Sequence, residues 1–123
     1  FEAEVVAGSG RGKGLGFPTA NFLPIEKNQL IPANGVYFIR GRINSINLYG
    51  MCNLGTRPTF DEIDFVMEVH FFKGMVDDIY GKTITVEFLE RVRDEKKFSD
   101  PEELIEQLEK DKEICMRLIQ KYN

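Results

Sequence analysis

The segment of the sequence with the most glycine, GSGRGKGLG at residues 8–16, is a candidate phosphate-binding loop. Glycines let a backbone turn its N–H groups toward a ligand without Cβ clashes. Arg11 and Lys13 lie inside this segment and add positive charge that suits phosphate. The spacing of the glycines fits neither a Walker loop nor a dinucleotide-binding fingerprint. The segment therefore indicates a phosphate loop of another kind or, alternatively, a flexible hairpin loop.

A hydroxyl and an amide follow this segment at Thr19 and Asn21, directly behind Pro18. In an extended chain, residues i and i+2 point to the same side, so these two side chains present their oxygens together. Mg²⁺ takes few protein ligands and often binds together with substrate phosphates. The pair therefore predicts a magnesium site beside the phosphate loop. The alternative is a turn in which both side chains cap backbone groups.

Glu68 is a candidate general base because it lies between Met67 and Val69 in a largely apolar segment. An alcohol that attacks phosphorus needs an acceptor for its proton, and a positioned carboxylate serves this purpose. The alternative is a glutamate that faces solvent on a half-exposed strand. His70 lies two residues further on the same face, and we interpret it as a structural neighbour of the site.

The composition excludes several other classes of protein. The 123 residues suit one domain, and 42% hydrophobic with 29% charged residues is typical of a globular chain. A net charge of -4 argues against a nucleic-acid partner, and the lack of a long apolar run argues against a membrane span. One histidine and two cysteines are too few for a metal site built from several His or Cys ligands.

Cys52 and Cys115 lie far apart in the sequence and are interpreted as two buried, reduced thiols. This cysteine usage predicts a cytoplasmic location. Because the sequence begins at Phe1 rather than at Met, we expect a module taken from a longer chain or, alternatively, a monofunctional protein that lacks its first few residues.

The hydrophobic pattern predicts the elements that position these residues. Alternation predicts strands at residues 2–6, 36–43, 46–54, 64–72 and 83–92. Asn44 and Ser45 form the turn of a hairpin, and the strand spacing favours an antiparallel barrel or sandwich. Asp100, Pro101 and Glu103 have the types and spacing of a helix start, and apolar residues then recur at helical spacing. We expect this helix to cover the barrel.

Residues 8–21, GSGRGKGLGFPTAN, resemble the ATP- and magnesium-binding segment of the riboflavin kinase (flavokinase) family. Further family motifs follow in the same order: GVY at 35–37, NLGTRPTF at 53–60, MEVH at 67–70, IYG at 79–81 and RDEKKF at 93–98. The resemblance implies a mainly β fold, a six-stranded antiparallel Greek-key barrel with a C-terminal helix. It predicts one kinase domain over residues 1–123, with strands at about 2–98 and the helix at about 100–121. It also implies an N-terminal adenylyltransferase domain in the full-length chain, as in bifunctional bacterial riboflavin kinase/FAD synthetases.

The resemblance implies transfer of the ATP γ-phosphoryl group to the 5′-hydroxyl of riboflavin, giving FMN and ADP. Glu68 matches the catalytic carboxylate of the family, and Thr19 and Asn21 match its Mg²⁺ ligands, with Zn²⁺ or Mn²⁺ as alternative ions. The positions that match the ATP-binding residues are Gly8, Gly10, Arg11, Gly12, Lys13, Gly14, Pro18, Thr19 and Asn53. The positions on the flavin side are Val86, Leu89, Arg93 and Phe98.

Two further kinds of binding protein compete with the kinase. The main alternative is a non-catalytic flavin- or nucleotide-binding barrel, of which a split-barrel flavin reductase is a related case. A passive flavin binder needs neither a magnesium pair nor a base, so Thr19, Asn21 and Glu68 separate it from a kinase. An OB-like nucleic-acid module is the other alternative, and its basic groove does not fit the net charge of -4.

Overall fold

The protein folds as a closed barrel of antiparallel strands with one helix packed on its outer face. The structure is a computed structural model that describes residues 1–7, 20–25, 32–58, 63–72 and 79–122. The elements are β1 (Glu2–Ala7), β2 (Ala20–Pro24), β3 (Gly35–Ile43), β4 (Ile46–Pro58), β5 (Ile63–Phe71), β6 (Thr83–Arg93) and α1 (Pro101–Tyr122). The mainly β architecture expected from the sequence is confirmed.

The strands lie around the barrel in the order β1-β2-β5-β4-β3-β6, and β6 pairs with β1 to close it. Strands β3, β4 and β5 are consecutive neighbours, and β6 returns to lie beside β3, which is a Greek-key arrangement. The β3–β4 hairpin turns at Asn44 and Ser45, whose φ angles of 49° and 73° suit a two-residue turn of the primed type. This turn was predicted from the sequence.

One strand, β2, was not identified by the hydrophobic pattern. It has only five residues, ANFLP, and pairs with β1 on one side and with β5 on the other. Its alternation is real, since Ala20 and Phe22 are buried while Leu23 is exposed. The segment is too short for alternation alone to reveal it. The family resemblance, which implies six strands, supplied the correct number.

The barrel interior is filled by side chains from alternate positions of all six strands. Its largest fully buried members are Phe22, Ile39, Leu54, Met67 and Ile84, each no more than 2% exposed. Burial of a side chain of this kind stabilises the fold by about 1.5–3 kcal/mol. Because alternate residues point inward, the intervening residues of the same strands form the outer face of the barrel.

Helix α1 begins with the predicted cap. The Asp100 carboxylate accepts a hydrogen bond of 2.8 Å from the Glu103 backbone N–H, and the Ser99 hydroxyl donates one of 3.0 Å to the Glu103 carboxylate. These bonds satisfy polar groups that a helix start leaves unpaired. No helix among the described residues is long and apolar enough to cross a membrane.

The apolar side of α1 covers part of the outer face. Val36, Phe38, Met51 and Cys115 are buried there, with further residues packed around them. The partly buried members are Tyr49, Phe72, Leu89, Val92, Leu108, Leu118, Ile119 and Tyr122. The covering helix expected from the sequence is therefore present, and we call this set of residues the helix-covered cluster.

Candidate active site

A row of polar residues crosses three neighbouring strands on the outer face of the barrel. Asn21 of β2 pairs with Glu68 of β5, and Glu68 pairs on its other side with Asn53 of β4. Side chains of directly paired residues lie about 4.5–5.5 Å apart at their Cβ atoms. The three residues are up to 47 positions apart in the sequence, and the fold brings them within reach of one ligand. We call Asn21, Glu68 and Asn53 the polar row.

All three side chains of the polar row point away from the barrel interior. Their strand neighbours Ala20, Val69 and Cys52 belong to the interior core. Alternation therefore directs Asn21, Glu68 and Asn53 outward. Asn21 and Glu68 are half-buried, whereas Asn53 is exposed.

The Asn21 side chain contains an acceptor that lacks a partner. Its Oδ1 atom is buried and has no hydrogen-bond partner among the described residues. A buried acceptor without a partner costs about 1–3 kcal/mol, so such an atom in a native fold calls for an explanation. A divalent cation is one natural partner, since Mg²⁺ binds oxygen ligands and few protein groups.

The residues present fit a cation that is held jointly by protein and phosphate. Asn21 Oδ1 is an oxygen ligand of the kind that Mg²⁺ prefers, and the paired Glu68 carboxylate adds negative charge beside it. The described part of the chain has no group of three or more His, Cys, Asp or Glu side chains that could hold a metal without such help. A nucleotide phosphate would supply the missing oxygen ligands.

The wall behind Glu68 is apolar and chemically inert. Cys52 lies in the interior core next to Asn53, and its side chain is fully buried. Burial, together with the nearby Glu68 carboxylate, raises the pKa of the Cys52 thiol to about 12. The thiol therefore stays protonated and adds no negative charge behind the polar row.

Arg93 of β6 lies in line with the polar row across the strands, with Val36 between it and Asn53. Val36 of β3 pairs with Asn53 on one side and with Arg93 on the other. The Arg93 guanidinium lies over the Phe98 ring, with its Cζ atom 6.0 Å from the ring centroid. Two of the residues predicted on the flavin side are thus in contact with each other, a few strands from the polar row.

The other two residues predicted on the flavin side lie on opposite faces of β6. Val86 is 1% exposed and belongs to the barrel interior, so its side chain is enclosed in this structure. Leu89 is a partly buried member of the helix-covered cluster on the outer face. The structure therefore brings Arg93 and Phe98 together and places Leu89 on the same outer face, but it separates Val86 from them.

The segment between β6 and α1 crosses the barrel end and reaches β4. The Glu95 carboxylate lies so close to Gly55 that a Cβ at that position would be 2.4 Å from its Oε1 atom. Gly55 is two residues beyond Asn53 on the same face of the strand. The 94–98 segment is consequently one wall of the space beside the polar row.

Three residues near this wall were not predicted as part of the site: Glu95, Gln107 and Asp111. Asp111 is fully buried on the inner side of α1 and pairs with Arg93. The signal was present in the sequence, because an aspartate here interrupts the apolar helical repeat four residues before Cys115. A charge at an inward position requires a partner, which the sequence alone does not identify.

The remaining predicted site residues lie outside the described residues. These are Gly8, Gly10, Arg11, Gly12, Lys13, Gly14, Pro18 and Thr19. Their predicted contacts with ATP and the metal ion stay predictions. The described neighbour of this segment is β2, which begins at Ala20 and carries Asn21 into the polar row.

Comparison with known proteins identifies the family. The sequence model of the flavokinase family, described as riboflavin kinase, matches residues 1–119. The chain belongs to the riboflavin kinase family. Family membership implies ATP as co-substrate and a divalent metal ion. The resemblance seen in the motifs is thereby confirmed, and the kinase is favoured over the non-catalytic barrel.

Two curated relatives are similar over most of this chain. The bifunctional riboflavin kinase/FMN adenylyltransferase of Bacillus subtilis is 38% identical over 116 residues, which cover 92% of this chain and 36% of the relative. The protein of the same name from Haemophilus influenzae is 38% identical over 112 residues, which cover 90% of this chain and 35% of the relative. The chain thus spans about a third of the length of these relatives.

A solved structure shares the fold. The crystal structure of a macrolide-efflux protein from Streptococcus pneumoniae superposes with a TM-score of 0.86 at 36% sequence identity. The match covers 94% of this chain and 37% of that one. The barrel and helix described above are therefore also found in an experimental structure.

Proposed function

We propose that this chain phosphorylates riboflavin, transferring the γ-phosphoryl group of ATP to the 5′-hydroxyl to give FMN and ADP. The observation that carries the proposal is the polar row, in which a carboxylate lies between two amides, one of which has a buried acceptor without a partner among the described residues. Family membership supplies the substrate class. We further propose that residues 1–123 act as one kinase domain.

Glu68 is the proposed general base. Its carboxylate accepts the proton of the 5′-hydroxyl as that oxygen attacks the γ-phosphorus. A positioned base of this kind contributes about 10²–10⁴-fold to the rate, and positioning with electrostatic stabilisation supplies most of the remainder. The paired strands on both sides fix the backbone of Glu68, which limits the directions its carboxylate can take.

Asn21 is the proposed metal ligand, and Mg²⁺ is the proposed ion. Bound there, the ion would neutralise charge on the transferred phosphoryl group. The Asn21 amide oxygen gains the partner that it lacks among the described residues. Thr19 precedes it by two residues and is proposed as the second ligand, and Asn53 is proposed to contact the nucleotide. The glycine-rich segment with Lys13 is proposed to bind the ATP phosphates.

The flavin ring is proposed to lie along the 94–98 segment. An isoalloxazine ring needs apolar contact on its faces and hydrogen bonds at its edge. Phe98 and Leu89 provide apolar surface, and the Arg93 guanidinium provides N–H donors. This placement leaves the ribityl chain to extend toward Glu68. Val86 is enclosed in the barrel, so any contribution it makes to flavin binding is through the packing of β6.

The full-length protein is proposed to carry an adenylyltransferase domain N-terminal to this module, as the names of the bifunctional relatives indicate. A cytoplasmic location is also proposed. Both cysteines are free and buried, which is the usual state of thiols in a reducing compartment.

A product assay tests the kinase proposal directly. The purified chain is incubated with riboflavin, ATP and Mg²⁺, and FMN and ADP are separated by chromatography. We expect equimolar FMN and ADP from the wild type, and a kcat lower by about 10²–10⁴-fold in Glu68→Gln. Asn21→Ala should lose activity at low Mg²⁺ and regain part of it as the Mg²⁺ concentration rises.

A matched control for Glu68→Gln is Glu87→Gln. Glu87 is an exposed glutamate of β6 that pairs with Arg40 at 3.0 Å, away from the polar row. Its replacement should leave kcat unchanged. Absence of FMN from the wild type with Mg²⁺, Mn²⁺ and Zn²⁺ contradicts the kinase, and full activity of Glu68→Gln removes Glu68 as the base.

A further inference from the structure

Asp111 is a buried charged side chain, and it accepts hydrogen bonds from two residues. Its carboxylate is 1% exposed. Arg93 Nε donates to both oxygens at 2.9 and 3.0 Å, and Arg93 Nη2 donates to Oδ2 at 2.8 Å. Gln107, one turn earlier on α1, donates its Nε2 to Oδ1 at 2.9 Å. A buried carboxylate persists only with such compensation, because its desolvation is costly.

These contacts fix the direction of the Arg93 guanidinium. A guanidinium has five N–H donors in a rigid plane, and Asp111 takes one on Nε and one on Nη2. A third, on Nη1, donates to the Asp94 backbone oxygen at 2.9 Å. Hydrogen bonds within the described residues thus take three of the five donors and leave one each on Nη1 and Nη2. The guanidinium that carries these two donors lies over the Phe98 ring.

We propose that Asp111, supported by Gln107, is a positioning residue for riboflavin: it holds Arg93 so that its two remaining N–H groups face the acceptor edge of the flavin ring. This inference rests on the proposed function, because it takes Arg93 as a flavin contact. The ring system of riboflavin has neighbouring acceptor atoms, O2 beside N1 and O4 beside N5, and N–H donors held in a fixed plane suit such a pair. Helix α1 therefore takes part in substrate binding through Asp111.

A purely structural role of the pair explains less. The helix-covered cluster already anchors α1 to the barrel. A second ion pair, from Lys121 to Glu90, also connects α1 to β6, but it is a single contact of 3.4 Å between side chains that are 64% and 31% exposed. A buried ion pair often adds little stability compared with apolar residues of the same size. The Arg93–Asp111 pair is therefore better explained by the direction that it gives to the Arg93 guanidinium.

The test measures the affinity for each substrate in Asp111→Asn and in the control Lys121→Met. Riboflavin binding is followed by the change in flavin fluorescence, and ATP binding by calorimetry. We expect Asp111→Asn to raise the Kd and KM for riboflavin about tenfold, because a charge-assisted bond is weakened. Its Kd for ATP should stay within twofold of wild type, and Lys121→Met should leave both values unchanged. A wild-type riboflavin Kd in folded Asp111→Asn overturns the proposal, as does an equal loss of affinity for ATP.

Gln107→Met decides the question if Asp111→Asn does not fold. This variant removes one hydrogen bond to Asp111 and keeps the length and volume of the side chain. We expect a riboflavin Kd about threefold higher with an unchanged ATP Kd, and a riboflavin Kd equal to that of the wild type overturns the proposal.

A double-mutant cycle separates this inference from the proposed function. If Asp111 acts through Arg93, then Asp111→Asn has no further effect on riboflavin affinity in an Arg93→Lys background. Additive effects of the two changes overturn the positioning role even where the chain forms FMN. If the chain binds riboflavin but forms no FMN, the proposed function is contradicted. The double-mutant cycle still tests the role of Asp111, because it measures binding alone.

Discussion

Two residues on the same face of β4 illustrate how one surface of this barrel performs two tasks. Met51 and Asn53 are two positions apart, so both point outward. Met51 is 4% exposed beneath α1, whereas Asn53 is exposed and belongs to the polar row. Their strand partners are of the same kind, since both pair with an apolar residue of β3, Phe38 or Val36, and with a polar residue of β5, His70 or Glu68.

The difference shows that the position of α1, and not the strand pattern, divides the outer face. The helix-covered cluster removes apolar surface from water and stabilises the fold. The polar row holds a half-buried carboxylate and a buried acceptor that has no partner among the described residues, which lowers stability. Stability and chemistry are therefore assigned to adjacent parts of one sheet surface.

Removing a large side chain from the helix-covered cluster should have the largest effect on stability. Phe38 is fully buried and stacks on Tyr49, with ring centroids 5.6 Å apart. We expect Phe38→Ala to lower the free energy of unfolding by about 3–5 kcal/mol, measured by urea denaturation. The kcat of the folded protein should stay within threefold of wild type. A loss below 1 kcal/mol would mean that α1 does not bury this side chain in solution.

Two glycines of β4 provide a second comparison, with a smaller effect. A Cβ at Gly50 would lie 2.6 Å from the His70 backbone oxygen, which cannot move without disturbing β5. A Cβ at Gly55 meets only the end of the flexible Glu95 side chain. We expect Gly50→Ala to cost about 1–3 kcal/mol of stability and Gly55→Ala less than 0.5 kcal/mol, both from thermal unfolding.

The comparison depends on which of the two glycine substitutions lowers stability more. A larger loss of stability from Gly55→Ala would show that the 94–98 segment is rigidly held against β4. The double variant Gly55→Ala with Glu95→Ala should then recover that loss.

Asn21→Leu should change stability and activity in opposite directions. The substitution replaces a buried acceptor that has no partner among the described residues by an apolar side chain of the same branched shape. We expect the free energy of unfolding without divalent cations to rise by about 1 kcal/mol while FMN formation is lost. Asn53→Leu is the matched control, since Asn53 is exposed and should give no gain. A decrease in stability for Asn21→Leu would show that Oδ1 has a partner in solution.

The thiols should change stability only at high pH. Burial raises the pKa of Cys52 to about 12, and burial with the nearby Asp111 carboxylate raises the pKa of Cys115 to about 12. An unfolded thiol has a pKa of about 8.5. Below that pH the thiols do not change stability. Above it, the unfolded chain loses thiol protons that the folded chain keeps, so stability falls as pH rises toward 12, by up to about 1.4 kcal/mol per pH unit for each thiol.

Urea denaturation between pH 8 and 11 measures this slope. We expect it to be shallower in Cys52→Ala and shallower again when Cys115→Ala is added. Equal slopes in the wild type and the double variant would contradict the burial of both thiols.

The sequence predicted most of the fold because its signals are local. Alternation in β3 and β5, the Asn44–Ser45 turn and the Asp100 cap depend on residues near each other in the chain. The short strand β2 escaped the pattern because five residues give too few alternations. The C-terminal end of β4 also differs from the prediction, since the strand continues to Pro58 instead of ending at residue 54.

The candidate site was predicted in its members but not in its arrangement. Glu68, Asn21 and Asn53 were all named from motifs, yet only the β2–β5–β4 register brings them side by side. The role of Asp111 was not predicted, because its partner Arg93 lies on another element and the contact depends on how α1 docks.

The sequence by itself determined the family, the barrel class and the residue types available for chemistry. One carboxylate, two amides and a hydroxyl are fixed by composition and motif, because each is a local property of the chain. The tertiary structure decided which of the outward residues are covered and which are open, and it oriented Arg93 through a buried charge on α1. These features depend on long-range packing, since strand alternation gives Met51 and Asn53 the same direction and only the docked helix distinguishes them.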